Sequence, residues 1–127
     1  MLLQLDFSSE TPIYRQIHDQ IVLGIAGGNL HAGERLPTIR ALANETGINM
    51  MTASKAYQLL KQEGHITTDR RGGTIVAGCC VGVLIEKTLA ELKLTAATTK
   101  LSGISREKWL DLCAQAFDSL GSEGGNS

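Results

Sequence analysis

Two short helices set almost end to end, each with its own start and stop signal, constrain this chain more than any other feature. Thr38 is placed to cap a helix carrying Ile39, Leu42 and Ala43 on one face, and Gly47 supplies the left-handed residue that ends it. Asn49 then caps a second helix with Ala53, Ala56, Tyr57 and Leu60 along one side, closed by Gly64. With only Gly47 and Ile48 between them, the two form a helix-turn-helix candidate.

The flanks complete a small unit. Thr11 as N-cap, Pro12 at the first helical position and an apolar stripe of Ile13, Ile17, Ile21, Val22 and Ile25 predict a first helix over 12–26, stopped by Gly27-Gly28. Pro37 disfavours a helical Leu36, so Glu34-Arg35-Leu36 is expected to be extended and long enough for a very short strand. Strands rich in β-branched residues are expected at 66–68 and 74–77, joined by Asp69-Arg70-Arg71-Gly72-Gly73. Three helices followed by a two-stranded hairpin is the element order of a winged helix.

Beyond Gly78 the pattern turns helical again, first with Val81, Leu84, Ile85, Thr88, Leu89 and Leu92. After Gly103, and with Ser105 as N-cap, come Trp109, Leu112, Cys113, Ala116, Phe117 and Leu120. Two such helices are too short to enclose a core. The seam of Leu84, Ile85, Leu89, Leu92, Trp109, Leu112 and Phe117 is therefore expected to be buried against a second copy rather than against its own domain. The expected fold class is α+β, mainly α: a winged helix-turn-helix over 1–78, a two-helix dimerisation segment over 79–120 and a frayed GSEGGNS tail over 121–127.

Composition narrows the function. A chain of 127 residues holds one domain and an appendage, and 43% hydrophobic residues suffice for a core. No apolar run approaches the roughly 20 residues of a membrane span, and no basic stretch followed by an apolar one opens the chain, so a cytoplasmic protein is expected. Cys79, Cys80 and Cys113 fit free thiols; a metal or redox sensor is the alternative, but their spacing matches no zinc motif. No nucleophile–base pair, paired-carboxylate site or phosphate-cradling glycine loop is present, so no enzyme, cofactor or metal is expected.

Net charge is −1, and residues 1–78 carry seven Lys/Arg against seven Asp/Glu. Any basic surface must come from arrangement rather than bulk charge. So neutral a half also permits a winged helix that contacts protein. A positive face over Arg40, Lys55 and the hairpin would separate the two readings.

Pro12-Ile13-Tyr14 with Gln16-Ile17, Leu36-Pro37-Thr38 with Arg40 and Leu42-Ala43, Gly47-Ile48, Thr52, Ala56-Tyr57 with Leu60, Gly64-His65-Ile66 and Gly73-Thr74-Ile75-Val76 together resemble the GntR family of regulators. The resemblance spans about residues 10–78. The two short C-terminal helices, with Asn49, Lys55 and Ala56-Tyr57, are similar to its YtrA-like branch. It implies a homodimer on a double-stranded, two-fold symmetric operator, often a repressor of genes that include transporters. A small-molecule effector is left either a pocket at the dimer interface or none. A related branch fuses this winged helix to an aminotransferase-like domain; the helical pair and the Gly/Ser tail argue against a detached piece of one.

The DNA-contact positions carried over are Thr38 and Arg40, then Asn49, Met50, Met51, Thr52, Ser54 and Lys55, and in the wing Arg70, Arg71, Gly72 and Gly73. Arg40, Lys55, Arg70 and Arg71 suit phosphates, while Asn49 and Thr52 lie where base edges approach. Family members usually carry polar or basic residues at Met50 and Met51, a β-branched or larger aliphatic residue at Ala53 and glycine at Arg71. A methionine there can touch a thymine methyl, and Arg71 can add a phosphate or minor-groove contact. Arg35 and Lys61 are expected to be surface residues or ion-pair partners, Tyr57 and Trp109 core or interface, and His65 either a phosphate contact or a turn residue.

Overall fold

A computed structural model describes residues 3–78 and 85–120, with backbone alone at residue 85. Leu84, the side chain of Ile85, Cys79, Cys80 and the 121–127 tail, all named above, lie outside the described residues. The elements are α1 (Ile13–Ala26), α2 (Ile39–Thr46), α3 (Met50–Gln62), β1 (Ile66–Thr68), β2 (Thr74–Val76), α4 (Ile85–Leu101) and α5 (Arg106–Ser119). They make a winged helix-turn-helix followed by a C-terminal helical segment.

Local signals account for most boundaries. The Thr38 hydroxyl accepts from the Ala41 N–H at 3.0 Å and the Asn49 amide oxygen from the Thr52 N–H at 2.8 Å, each satisfying one orphan donor of a helix start. Gly47 ends α2 at φ 76°, a conformation that costs other residues about 1–2 kcal/mol. Helix α1 differs from expectation: Pro12 occupies the cap position, no side chain caps it, and Thr11 instead offers its carbonyl to the Gln16 amide. A second difference is the length of α4, which runs past the apolar stretch ending at Leu92. Its later turns hold good helix formers, Leu94, Ala96, Ala97, Lys100 and Leu101. The threonines among them keep their hydroxyls within the helix, those of Thr95, Thr98 and Thr99 donating to the carbonyls of Glu91, Leu94 and Thr95.

β1 and β2 pair antiparallel, with Ile66 opposite Val76 and Thr68 opposite Thr74. Residues 34–36 form an isolated bridge rather than a strand, and lie along β2: Leu36 donates to the Thr74 carbonyl, Val76 donates to the Glu34 carbonyl, and Arg35 bridges Ile75. Between this sheet and the helices sits the core, built from Ile17 and Ile21 of α1, Leu36, Leu42 and Ala43, then Ala53, Ala56, Tyr57 and Leu60 of α3, and Ile66 and Val76. Each large member stabilises the unit by roughly 1.5–3 kcal/mol. The Tyr57 hydroxyl donates to the Pro37 carbonyl at 2.7 Å, tying α3 to the loop that launches α2. Burial, with the Glu45 charge added, pushes its phenol far above the usual range, so it stays a donor.

Candidate nucleic-acid interface

The core fixes α3 by its Ala53, Ala56, Tyr57 and Leu60 face and leaves the opposite face of its first turns outward. There a cleft of about 590 Å³ is lined by Ile39, Met50, Met51, Ser54, Lys55 and Gln58. The structure thus gathers four of the expected contact residues, Met50, Met51, Ser54 and Lys55, beside the start of α2. Met51 is 82% exposed and Met50 48%, so an apolar tip faces solvent at the front of the helix.

Thr38 and Asn49 are exposed but already employed as caps. The Asn49 oxygen spends one of its two lone pairs on the Thr52 N–H. Its amide N–H₂ and its second lone pair remain for a base or a phosphate while the cap is kept. Lys55 is held over the Tyr14 ring, its ammonium 4.1 Å from the centroid, which orders a long side chain without neutralising it.

The wing is organised by one carboxylate. Asp69 Oδ1 accepts from the backbone N–H groups of Arg71 and Gly73, both at 2.9 Å, and Oδ2 accepts from the Arg35 guanidinium. Desolvation alone would raise the Asp69 pKa, but the Gly73 and Arg71 N–H groups and Arg35 outweigh it and hold the carboxyl below its usual range. Gly72 takes φ 83°, and a side chain at Gly73 would collide with the Arg35 guanidinium. A side chain at Gly73 would thus have to push the Arg35 guanidinium aside from Asp69. Arg35, one of the two residues left out of the expected contacts, is the ion-pair partner that positions the hairpin.

The seven-to-seven charge balance conceals an uneven distribution. Asp19 and Glu34 each sit beside a histidine, Glu63 meets Lys87 and Asp69 meets Arg35. Among the described residues, Arg40, Arg70 and Arg71 form no side-chain hydrogen bond or ion pair and are exposed. Cations thus stand exposed and unpaired at the start of α2 and at the wing tip, while Lys87, from outside residues 1–78, takes up Glu63.

Other residues fall elsewhere. Leu89, Leu92, Leu112 and Phe117 are 53%, 46%, 39% and 79% exposed, Trp109 is half-buried, and no described residue of α4 or α5 is buried. Tyr57 belongs to the core. His65 is a half-buried turn residue 3.4 Å from Glu63 and close to His18; desolvation lowers its pKa, with Glu63 opposing. Among the described residues no group of three or more His, Cys, Asp or Glu could hold a metal ion, and no helix is long and apolar enough to cross a membrane.

The family model described as "Bacterial regulatory proteins, gntR family" matches residues 13–76. The chain is 34% identical to the HTH-type transcriptional repressor YtrA of Bacillus subtilis over 84% of its own length and 85% of that protein's. Its fold is similar to a crystal structure titled as a transcriptional antiterminator from Listeria monocytogenes, with TM-score 0.80, 29% identity and 91% and 90% of the two chains covered. It also resembles the DNA-binding domain of AraR crystallised with operator ORX1, with TM-score 0.53, 27% identity and 61% and 99% covered.

Proposed function

Because the chain belongs to the GntR family of bacterial transcription regulators, and is a DNA-binding regulator rather than an enzyme, we propose that it works as a dimeric repressor on an inverted-repeat operator. In this reading residues 1–78 are the DNA-binding unit, 79–120 the dimerising segment and 121–127 a tail, in a cytoplasmic protein. The observation that carries it is the outward first turns of α3, from Asn49 to Lys55, flanked by the unpaired Arg40, Arg70 and Arg71.

The start of α3 enters a major groove, where Thr52, Ser54 and the Asn49 amide meet base edges or phosphates and Met50 and Met51 offer apolar contact. Thr38, Arg40 and Lys55 hold the adjoining backbone, and Arg70–Gly73 hold the flank. Two such units, paired through Leu84, Ile85, Leu89, Leu92, Trp109, Leu112 and Phe117, place their helices in successive grooves about 34–36 Å apart. Occupying a promoter in this way blocks transcription, of transporter genes in the reading drawn from the family. An effector, if the protein answers to one, acts at the dimer interface.

The test is selection from a random duplex pool, followed by salt titration of the enriched sequence. An enriched inverted repeat whose affinity falls steeply as salt rises is the expected result. No enrichment from a chain that stays monomeric would overturn the reading and favour a winged helix that contacts protein.

A further inference from the structure

The recognition helix ends on a carboxylate that the DNA-reading function leaves unused. Glu63, immediately after α3, is 8% exposed, yet its oxygens reach three other parts of the chain. Oε1 accepts from His18 Nε2 of α1 at 2.6 Å and lies 3.4 Å from His65 Nε2 before β1, while Oε2 accepts from Lys87 Nζ of α4 at 2.8 Å. His18 Nδ1 is in turn 2.7 Å from Asp19 Oδ1. The cleft of about 270 Å³ around this cluster is also lined by Arg15, Val22, Thr88 and Glu91, so α1 and α4 face each other there through largely polar side chains.

This joint is unlike the rest of the molecule. Every buried apolar residue described lies between Ile17 and Val76, so α4 is not held to the first unit by a shared apolar core. Apolar contact is non-directional, whereas the hydrogen bonds of a buried carboxylate set where its partners sit. Glu63 and His18 are buried while Lys87 is half-exposed, so the pair adds little stability and its consequence is for placement. The angle at which α4 leaves the first unit decides how far apart, and in what rotation, two recognition helices stand once the helical segments have paired.

We propose that the Glu63–Lys87 pair, seated on His18, positions the DNA-reading unit on the dimerising helices and thereby selects the spacing between the operator half-sites. This rests on the dimeric reading above. One added base pair moves a half-site by about 3.4 Å and rotates it around the duplex, so a fixed joint tolerates one spacing and a loosened joint several.

The experiment uses the full chain and duplexes carrying the selected inverted repeat with its spacer shortened or lengthened one base pair at a time, beside a single half-site. The unaltered chain should prefer one spacer over its neighbours by about tenfold. Lys87→Met and Glu63→Gln should remain dimers and keep half-site affinity within about twofold while that preference falls to about threefold or less. Lys87→Arg, which keeps the charge and a donor, should retain it. Lys87 has a 53% exposed side chain, so its substitution keeps the test decisive if Glu63→Gln folds poorly. An unchanged spacer preference in Lys87→Met overturns the proposal. So does a half-site loss as large as the full-operator loss, which would make the pair a contact of the fold alone. Failure of the unaltered chain to prefer an inverted repeat over a half-site would instead sink the dimeric reading on which it rests.

Discussion

Residues 13–76 hide Ile17, Ile21, Leu42, Tyr57, Leu60, Ile66 and Val76 almost completely, whereas α4 and α5 leave Leu89, Leu92, Leu112 and Phe117 between 39% and 79% exposed. Both regions carry helical apolar spacing. The first has three helices and a hairpin to enclose what that spacing presents, and the second has two helices in which no described residue is buried. The contrast teaches that an apolar stripe reports the need for a partner surface without saying where that surface comes from. In the N-terminal unit the chain supplies it; in the C-terminal segment a second copy is the proposed source.

The sharpest way to break the comparison is to charge the C-terminal seam. Leu92→Glu with Phe117→Glu should convert dimers to monomers in sedimentation, because each carboxylate counts twice at a two-fold interface at a cost of several kcal/mol. Melting of the N-terminal unit should shift by no more than about 0.5 kcal/mol in equivalent stability. If those substitutions unfold residues 13–76 instead, the seam packs on its own unit and the contrast fails. The complementary change is Leu60→Ala, in the enclosed core. Denaturant unfolding should show a loss of about 2–5 kcal/mol, and a loss under 1 kcal/mol would mean the core is not closed as described.

Smaller effects sharpen the picture at the surface and the joint. Arg71→Ala at the free wing tip should weaken binding across DNA sequences and lower the salt dependence by about one counterion, with no change in unfolding; unchanged affinity and salt slope would remove Arg71 from the interface. The smallest effect is pH dependence. Burial raises the Glu63 carboxyl, but hydrogen bonds from Lys87 and His18 outweigh it and hold the pKa below its ordinary 4.5. A depressed carboxyl contributes stability above its unfolded pKa and loses it as pH falls through the folded one. The melting temperature of the unaltered chain should therefore decline below about pH 4.5 more steeply than that of Glu63→Gln. Parallel declines would show that Glu63 gains nothing from its partners.

How much of this was legible beforehand follows from how far apart the cooperating residues lie. The caps at Thr38 and Asn49 act on N–H groups three residues on, and Gly47 acts where it stands, so α2 and α3 were readable from short windows. Arg35 and Asp69 are separated by 34 residues, His18 and Glu63 by 45, and Lys87 and Glu63 by 24, so no local pattern marks either set. An Asx turn at Asp69, ahead of Arg-Arg-Gly-Gly, was the one local hint of the wing's organiser. The start of α1 departs from its local signal because Thr11 and Pro12 satisfy a cap rule that the observed backbone does not use. The extension of α4 is hard to read because the apolar spacing stops at Leu92 and threonine is a weak helix former, its hydroxyl competing for the carbonyl four residues back.

In the proposed function the exposed C-terminal seam pairs two copies so that two recognition helices read one operator. The most direct test of that pairing is the mass, by sedimentation, of the complex formed on the selected inverted repeat at a protein concentration well above the dissociation constant. With the concentration also held below the dissociation constant for a single half-site, two chains per duplex are expected, falling to at most one weakly held chain when Leu92 and Phe117 are both changed to glutamate. One chain per duplex for the unaltered protein, or two chains that persist after those changes, would contradict it.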